Sequence, residues 1–276
     1  MNSETKNVIS FYEKNTDKEW NRLNGQYSDI EKTIVHRTID KYIKKNADIL
    51  DLGCGPGRHA IELAKKGHRV FLVDIVQENL DFAINEFRRN GIEDKLIGVE
   101  CASANEFSAE HKFDAILAFG PFYHIVEDDD IIATLDNIKS MVKDTGYIFI
   151  IFIQMMSIFK DFLKRGWIDE MRKLIDDNYT KTGIFHPINE KQIYEYMPDF
   201  RAYRYTDAKK MLDCAKLHVE ETITCESFAA FMRPYFERIN LSNEQYDRLL
   251  DMLYEMAGQD FLLNATDHYL VVARKS

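Results

Sequence analysis

No signal-peptide pattern opens the chain: Met1–Lys6 is polar, and no apolar run is long enough to cross a bilayer. This predicts a cytoplasmic protein with no membrane partner. Cysteine is sparse, and Cys54, Cys101, Cys214 and Cys225 show no close metal-ligand pairing, which suits a reduced compartment. No His/Cys/carboxylate spacing typical of a metal site occurs, so none is expected. A serine nucleophile elbow, an internal repeat, a low-complexity segment and a flexible linker are all missing. Basic charge is also short, with a formal net charge of -10 over 276 residues. That balance disfavours a non-specific nucleic-acid binder, whose phosphate contacts need clustered Lys and Arg. What remains is 45% hydrophobic and 30% charged, enough to build a sizeable core.

One stretch organises the rest. Ile49–Leu52 reads as a short buried strand, followed by Gly53-Cys54-Gly55-Pro56-Gly57-Arg58. The alternating glycines remove side chains where the chain turns tightly and a ligand approaches backbone N–H groups. Ala60, Ile61, Leu63 and Ala64 repeat at helical spacing, Gly67 closes that helix, and Val70–Val73 is a second buried strand. Asp74 ends it about 20 residues after Gly53, where a carboxylate can accept hydrogen bonds from a ribose diol. Two ligand classes fit this turn. Gly55-Pro56-Gly57-Arg58-His59-Ala60 matches the dinucleotide pattern G-x-G-x-x-A. Asp51-Leu52-Gly53-Cys54-Gly55-Pro56-Gly57 resembles the first motif of class I methyltransferases that use S-adenosylmethionine (SAM). That resemblance implies a glycine turn facing the methionine end of SAM, with Asp74 on its ribose.

The later chain extends the resemblance. Val76–Asn90 reads as a helix and Leu96–Cys101 as a third strand, followed by Ala102-Ser103-Ala104-Asn105. This spot contacts adenine in the family, often through an Asp; here Ser103 stands there, so Ser103, Asn105 or the backbone around Ala104 takes that role. Phe113–Phe119 is the fourth strand, and Gly120-Pro121-Phe122-Tyr123-His124-Ile125 is similar to the Gly-Pro-Leu-Tyr-His-Leu run of a group of small bacterial SAM methyltransferases. Glu19-Trp20-x-Arg22-Leu23 looks like that group's opening helix, and Phe261–Arg274 like its final segment. Asp128-Asp129-Asp130 is expected to cap a helix, Asp144-Thr145-Gly146 to turn into a fifth strand at Tyr147–Ile153, and Thr206 to cap a helix ending at Ala215. Leu217–Thr224 is the sixth strand. Ser227–Met256 is helical with a break near Asn240-Leu241-Ser242, and His268–Ala273 closes the sheet as an antiparallel strand.

The expected fold is α/β: a Rossmann-like, seven-stranded class I methyltransferase sheet. Residues 1–45 would form a helical lid, 46–153 the SAM-binding core, 154–201 a helical cap, and 202–276 the rest of the core with a second helical insertion. The cofactor set implied is Asp51, Gly53, Cys54, Gly55, Gly57, Asp74, Ile75, Ser103, Ala104, Asn105, Phe119 and Gly120, with Tyr12 and Trp20 as lid aromatics suited to a cationic sulfur. Tyr123 and His124 are the candidate catalytic residues, His124 as a base or as a brace of its turn. His186-Pro187 and the tyrosines 194, 196, 203 and 205 are candidate cap features. Met155-Met156 stands where the narrower group carries an Arg-Tyr-like pair, which argues against an anionic substrate there. The resemblance implies methyl transfer from SAM to O or N of a small-molecule acceptor. The alternatives are an NAD-linked oxidoreductase and a non-catalytic SAM-binding sensor. No motif sets an oligomeric state.

Overall fold

The computed structural model describes residues 3–22, 25–176, 178–186, 198–236 and 239–276. Its main sheet contains β1 (Asp48–Leu52), β2 (Arg69–Asp74), β3 (Leu96–Cys101), β4 (Phe113–Ala118), β5 (Val142–Ile153), β6 (Leu217–Thr224) and β7 (His268–Lys275). Their order is β3-β2-β1-β4-β5-β7-β6. The first five strands run parallel, and β7 runs antiparallel to both β5 and β6. This is the class I methyltransferase order.

The central strands, β1 and β4 and the second half of β5, are apolar on both sides because both sides are covered. Alternate residues point to opposite faces. Ile49, Leu72, Leu117, Phe149 and Val272 pack beneath the helices Gln26–Tyr42, Arg58–Lys65, Gln77–Arg89 and Asn243–Met256. Leu50, Val73, Ile116, Ile150 and Val271 pack beneath Asp128–Met141 and Tyr205–Cys214. A separate small core of Met155, Ile158, Phe162, Leu174, Tyr179, Phe185 and Phe200 holds the segment inserted after β5. Two short helices, Ser3–Glu13 and Thr16–Arg22, precede the rest. No helix among the described residues is long and apolar enough to cross a membrane.

Three local expectations change. Asp144-Thr145-Gly146 lies inside β5, because the ladder jumps from Phe113↔Val142 to Ala115↔Tyr147 and absorbs the extra residues as an irregularity. Gly146 is required there: a Cβ would sit 2.9 Å from the Asp114 carbonyl oxygen. The helix after β4 begins behind Glu127 without a side-chain cap, and Asp128, Asp129 and Asp130 occupy its first turn. Thr206 is inside its helix, with Arg204 at the N-cap position. Ser242 does cap its helix, in a reciprocal box with Gln245. Leu23, Asn24, Pro187, Tyr194 and Tyr196 lie outside the described residues.

Candidate cofactor and acceptor site

β1 has β2 on one side and β4 on the other, so the crevice of the doubly wound sheet opens at the carboxyl ends of β1 and β4. The turn from Gly53 to Gly57 sits there. Gly53, Gly55 and Gly57 all hold positive φ, at 75°, 53° and 81°. Gly53 also has no room for a side chain, since a Cβ would lie 2.8 Å from Pro121 Cδ. The loop after β4 therefore packs directly on the glycine turn. The Gly53 and Cys54 N–H groups both donate to the Val73 carbonyl, at 2.7 and 3.0 Å, which fastens the turn to the tip of β2.

Asp74, at that tip, is buried and braced. Oδ2 accepts from the Gly55 N–H at 2.7 Å; Oδ1 accepts from the Val76 N–H at 2.9 Å and from Asn79 Nδ2 at 3.1 Å. Burial raises its pKa, and these three donors oppose the rise. Asp51 lies deeper, and burial followed by the neighbouring Asp74 charge lifts its pKa to about 7. A ligand with cationic groups and a diol suits this acidic, glycine-walled cradle.

The cradle opens into a cavity of about 230 Å3. Asp51, Gly53, Cys54, Gly55, Asp74, Ile75, Ser103, Ala104, Phe119, Gly120, Tyr12, Tyr123 and His124 all line it. Gly57, Asn105 and Trp20 stand off its wall. Gly57 packs against Ala83, where a Cβ would lie 2.8 Å from the alanine methyl carbon. Asn105 spends its amide elsewhere: Nδ2 donates to Asp130 at 2.8 Å and Oδ1 accepts from Ser103 Oγ at 2.5 Å. Trp20 lies beside Phe82, with ring centroids 5.1 Å apart, and under the Arg58 guanidinium at 5.0 Å.

At the tip of β4, Pro121–His124 forms a single helical turn. His124 Nε2 meets the Tyr12 hydroxyl at 2.7 Å, and Nδ1 has no hydrogen-bond partner among the described residues. Burial lowers the His124 pKa to about 4. The ring is neutral at ordinary pH, and in the tautomer protonated at Nδ1 its Nε2 accepts a hydrogen bond from the Tyr12 hydroxyl. The N-terminal helix is thereby tied to the β4 tip. Thr16 adds a second tie, donating to Asn79 Oδ1 at 3.1 Å, the same Asn79 that holds Asp74. The tyrosine cluster divides: Tyr203 is buried and donates to the Phe122 carbonyl at 3.0 Å, bracing the β4 turn from behind, and Tyr205 starts a helix. His186 is exposed and pairs with Asp199 at 2.6 Å, away from the cavity.

Sequence reasoning missed Glu31, Arg58, Asn79, Ile151 and His268 in the cavity wall, and read His59, also in that wall, as surface or packing. Glu31 and Asn79 each left a signal, a polar residue on the apolar stripe of an amphipathic helix. His268 left none, because only the antiparallel pairing of β7 with the end of β5 brings it to the site.

Residues 49–146 match the family model described as a methyltransferase domain. That stretch is about a third of the chain, and the sheet around it has the strand order of class I SAM-dependent methyltransferases. The matched stretch contains the whole glycine turn, and the antiparallel β7 does not suit a simple dinucleotide-binding half. The ubiquinone biosynthesis O-methyltransferase of Rickettsia prowazekii (strain Madrid E) is 26% identical over 155 residues. That match covers 53% of this chain and 58% of the relative, so the chain spans little more than half of it. Two solved structures share the fold. Magnesium protoporphyrin IX methyltransferase from Synechocystis PCC 6803, with bound S-adenosylhomocysteine (SAH), has a TM-score of 0.60 at 12% identity, over 99% of this chain and 100% of its own. The 1,6-didemethyltoxoflavin N1-methyltransferase of Burkholderia thailandensis, with 1,6-didemethyltoxoflavin and SAH bound, has a TM-score of 0.58 at 14% identity, over 98% of this chain and 88% of its own.

Proposed function

We propose that this protein transfers the methyl group of SAM to an oxygen or nitrogen atom of a small-molecule acceptor. One observation carries the reading: a single cavity runs from the Gly53–Gly55 turn and Asp74, past Gly120 and Tyr123, to Ile151 and His268 at the ends of β5 and β7. A cofactor pocket is thereby continuous with space for a second ligand.

In this reading Asp74 holds the ribose diol, Asp51 and the glycine turn hold the amino-acid end, and Ser103 and Ala104 border the adenine. SAM supplies an already activated methyl group, so the protein's work is alignment and exclusion of water. Tyr123 and the Gly120 backbone border the transfer point. His124 is a positioning residue. Its pKa of about 4 makes it a weak base at neutral pH, and its Nε2 is engaged by Tyr12. The small-molecule methyltransferases of the same fold support an acceptor smaller than a protein or RNA.

The test uses methyl-labelled SAM with a fractionated small-metabolite extract, a protein extract and total RNA as separate acceptor pools. Label in the small-metabolite pool with matching SAH release is expected. Label in protein or RNA alone would overturn the acceptor class. SAH release from no pool, despite SAM binding, would favour a sensor.

A further inference from the structure

Beyond the transfer point, the cavity wall carries a second polar group. Glu226, buried at 1% exposure, accepts from His268 Nδ1 at 2.7 Å through Oε1. Its Oε2 accepts from the Thr266 hydroxyl at 2.5 Å and from the Asp267 and His268 N–H groups at 3.3 and 3.1 Å. Glu226 is therefore saturated, and it fixes the His268 ring. The opposed effects of burial and of Glu226 and Glu31 leave the His268 pKa raised to about 9. His268 lines the cavity, and with Nδ1 held by Glu226 its Nε2 is the ring nitrogen left for a ligand.

Glu31, on the helix Gln26–Tyr42, faces the same space. Among the described residues it makes neither a hydrogen bond nor an ion pair, although donor atoms of Glu31, Glu226 and His268 lie within 4.8 Å of one another. A cationic N–H and a carboxylate thus stand side by side with a gap between them. One oxygen that accepts from one partner and donates to the other, with bonds of about 2.8 Å at a tetrahedral angle, separates its partners by about 4.6 Å. A bridging hydroxyl oxygen is compatible with donor atoms that lie within 4.8 Å of one another and form no direct Glu31–His268 ion pair. An ammonium group would meet His268, a carboxylate or phosphate would meet Glu31, and a metal ion would have to displace the His268 proton.

We infer that Glu31 and His268 form a specificity subsite that clasps a neutral hydroxyl group of the acceptor, His268 donating to its oxygen and Glu31 accepting its proton. The proposal rests on the methyltransferase reading and narrows its acceptor class. β7 is two strand spacings, about 10 Å, from β4. The clasped hydroxyl is therefore a remote anchor, and the methyl-accepting atom is a different one on the same molecule.

Benzyl alcohol, benzylamine and benzoate, which differ in the charge of one group, probe the subsite by ligand-detected NMR, with and without SAH. Glu31→Leu removes the acceptor. His268→Gln keeps a donor for Glu226 and removes the one facing the cavity. Benzyl alcohol is expected to bind the wild type at least tenfold more tightly than the charged pair. Each variant is expected to lose about tenfold while SAH affinity stays within about twofold. Preference for a charged probe, or variants that bind benzyl alcohol like wild type, would overturn the subsite. So would Zn2+ binding by the wild type that His268→Gln abolishes. Absence of SAH binding by the wild type contradicts the methyltransferase reading instead, and the titrations without SAH keep the two failures apart.

Discussion

Asp51 is a carboxyl group in surroundings that oppose its charge. Burial and Asp74 raise its pKa from the ordinary 3.8 to about 7, against the pull of the Ala60 backbone. The folded state therefore holds the Asp51 proton more tightly than the unfolded chain does. The stability this contributes is complete below about pH 4 and is lost as the pH rises through about 7. The protein is destabilised over that window by this buried carboxyl, and on the proposed reading a bound cationic group relieves the strain. Asp51→Asn should remove the loss. In thermal melts the variant should gain on the wild type between about pH 4.5 and about pH 8, and bind SAM more weakly. A constant difference across that range would mean that Asp51 does not titrate there. Motif spacing exposed Asp51 and Asp74 at once. It could not show that Asp74 already accepts three hydrogen bonds, because the Asn79 donor comes from another element.

Among the elements, the N-terminal helix Ser3–Glu13 has the most conditional place. It reaches the body of the site through the Tyr12–His124 bond and, just beyond its end, through the Thr16–Asn79 bond. Both partners sit beside the cofactor cradle, so the helix and the cradle are coupled. Tyr12→Phe keeps the ring and removes the hydroxyl, leaving His124 Nε2 without its donor. The expected cost is about 1–3 kcal/mol, felt locally. Backbone amides of Ser3–Glu13 should exchange faster by mass spectrometry, and those of Gln77–Arg89 should not change. Equal exchange in variant and wild type would remove Tyr12 from the account. Helical periodicity revealed this region as helical. It placed Trp20 in the lid lining, whereas Trp20 packs on Phe82 and Arg58, because a helix carries more than one apolar contact and the pattern does not say which faces the ligand.

At the scale of the molecule, the fold follows from two facts: central strands apolar on both faces, and a final strand that returns antiparallel. The run Ile49–Leu52 and its successors forced a sheet covered on both sides, and each strand of the main sheet overlaps the run expected for it, though β5 begins earlier, at Val142. The end of β5 was harder to read from its start, since Gly146 lies inside the strand as an irregularity that only its fit against Asp114 explains. The grouping of residues in the far wall of the cavity was not legible, although Glu31 alone left a signal on its helix. Glu31, Glu226 and His268 are separated by most of the chain, and only the closure of β7 beside β5 gathers them. The central claim is that the crevice between β1 and β4 takes SAM. Calorimetric titration with SAH and with NADH, on the wild type and on Asp74→Ala, tests it most directly. The account predicts SAH binding to the wild type, weakened at least tenfold by Asp74→Ala, with no heat from NADH. NADH binding without SAH binding would contradict it.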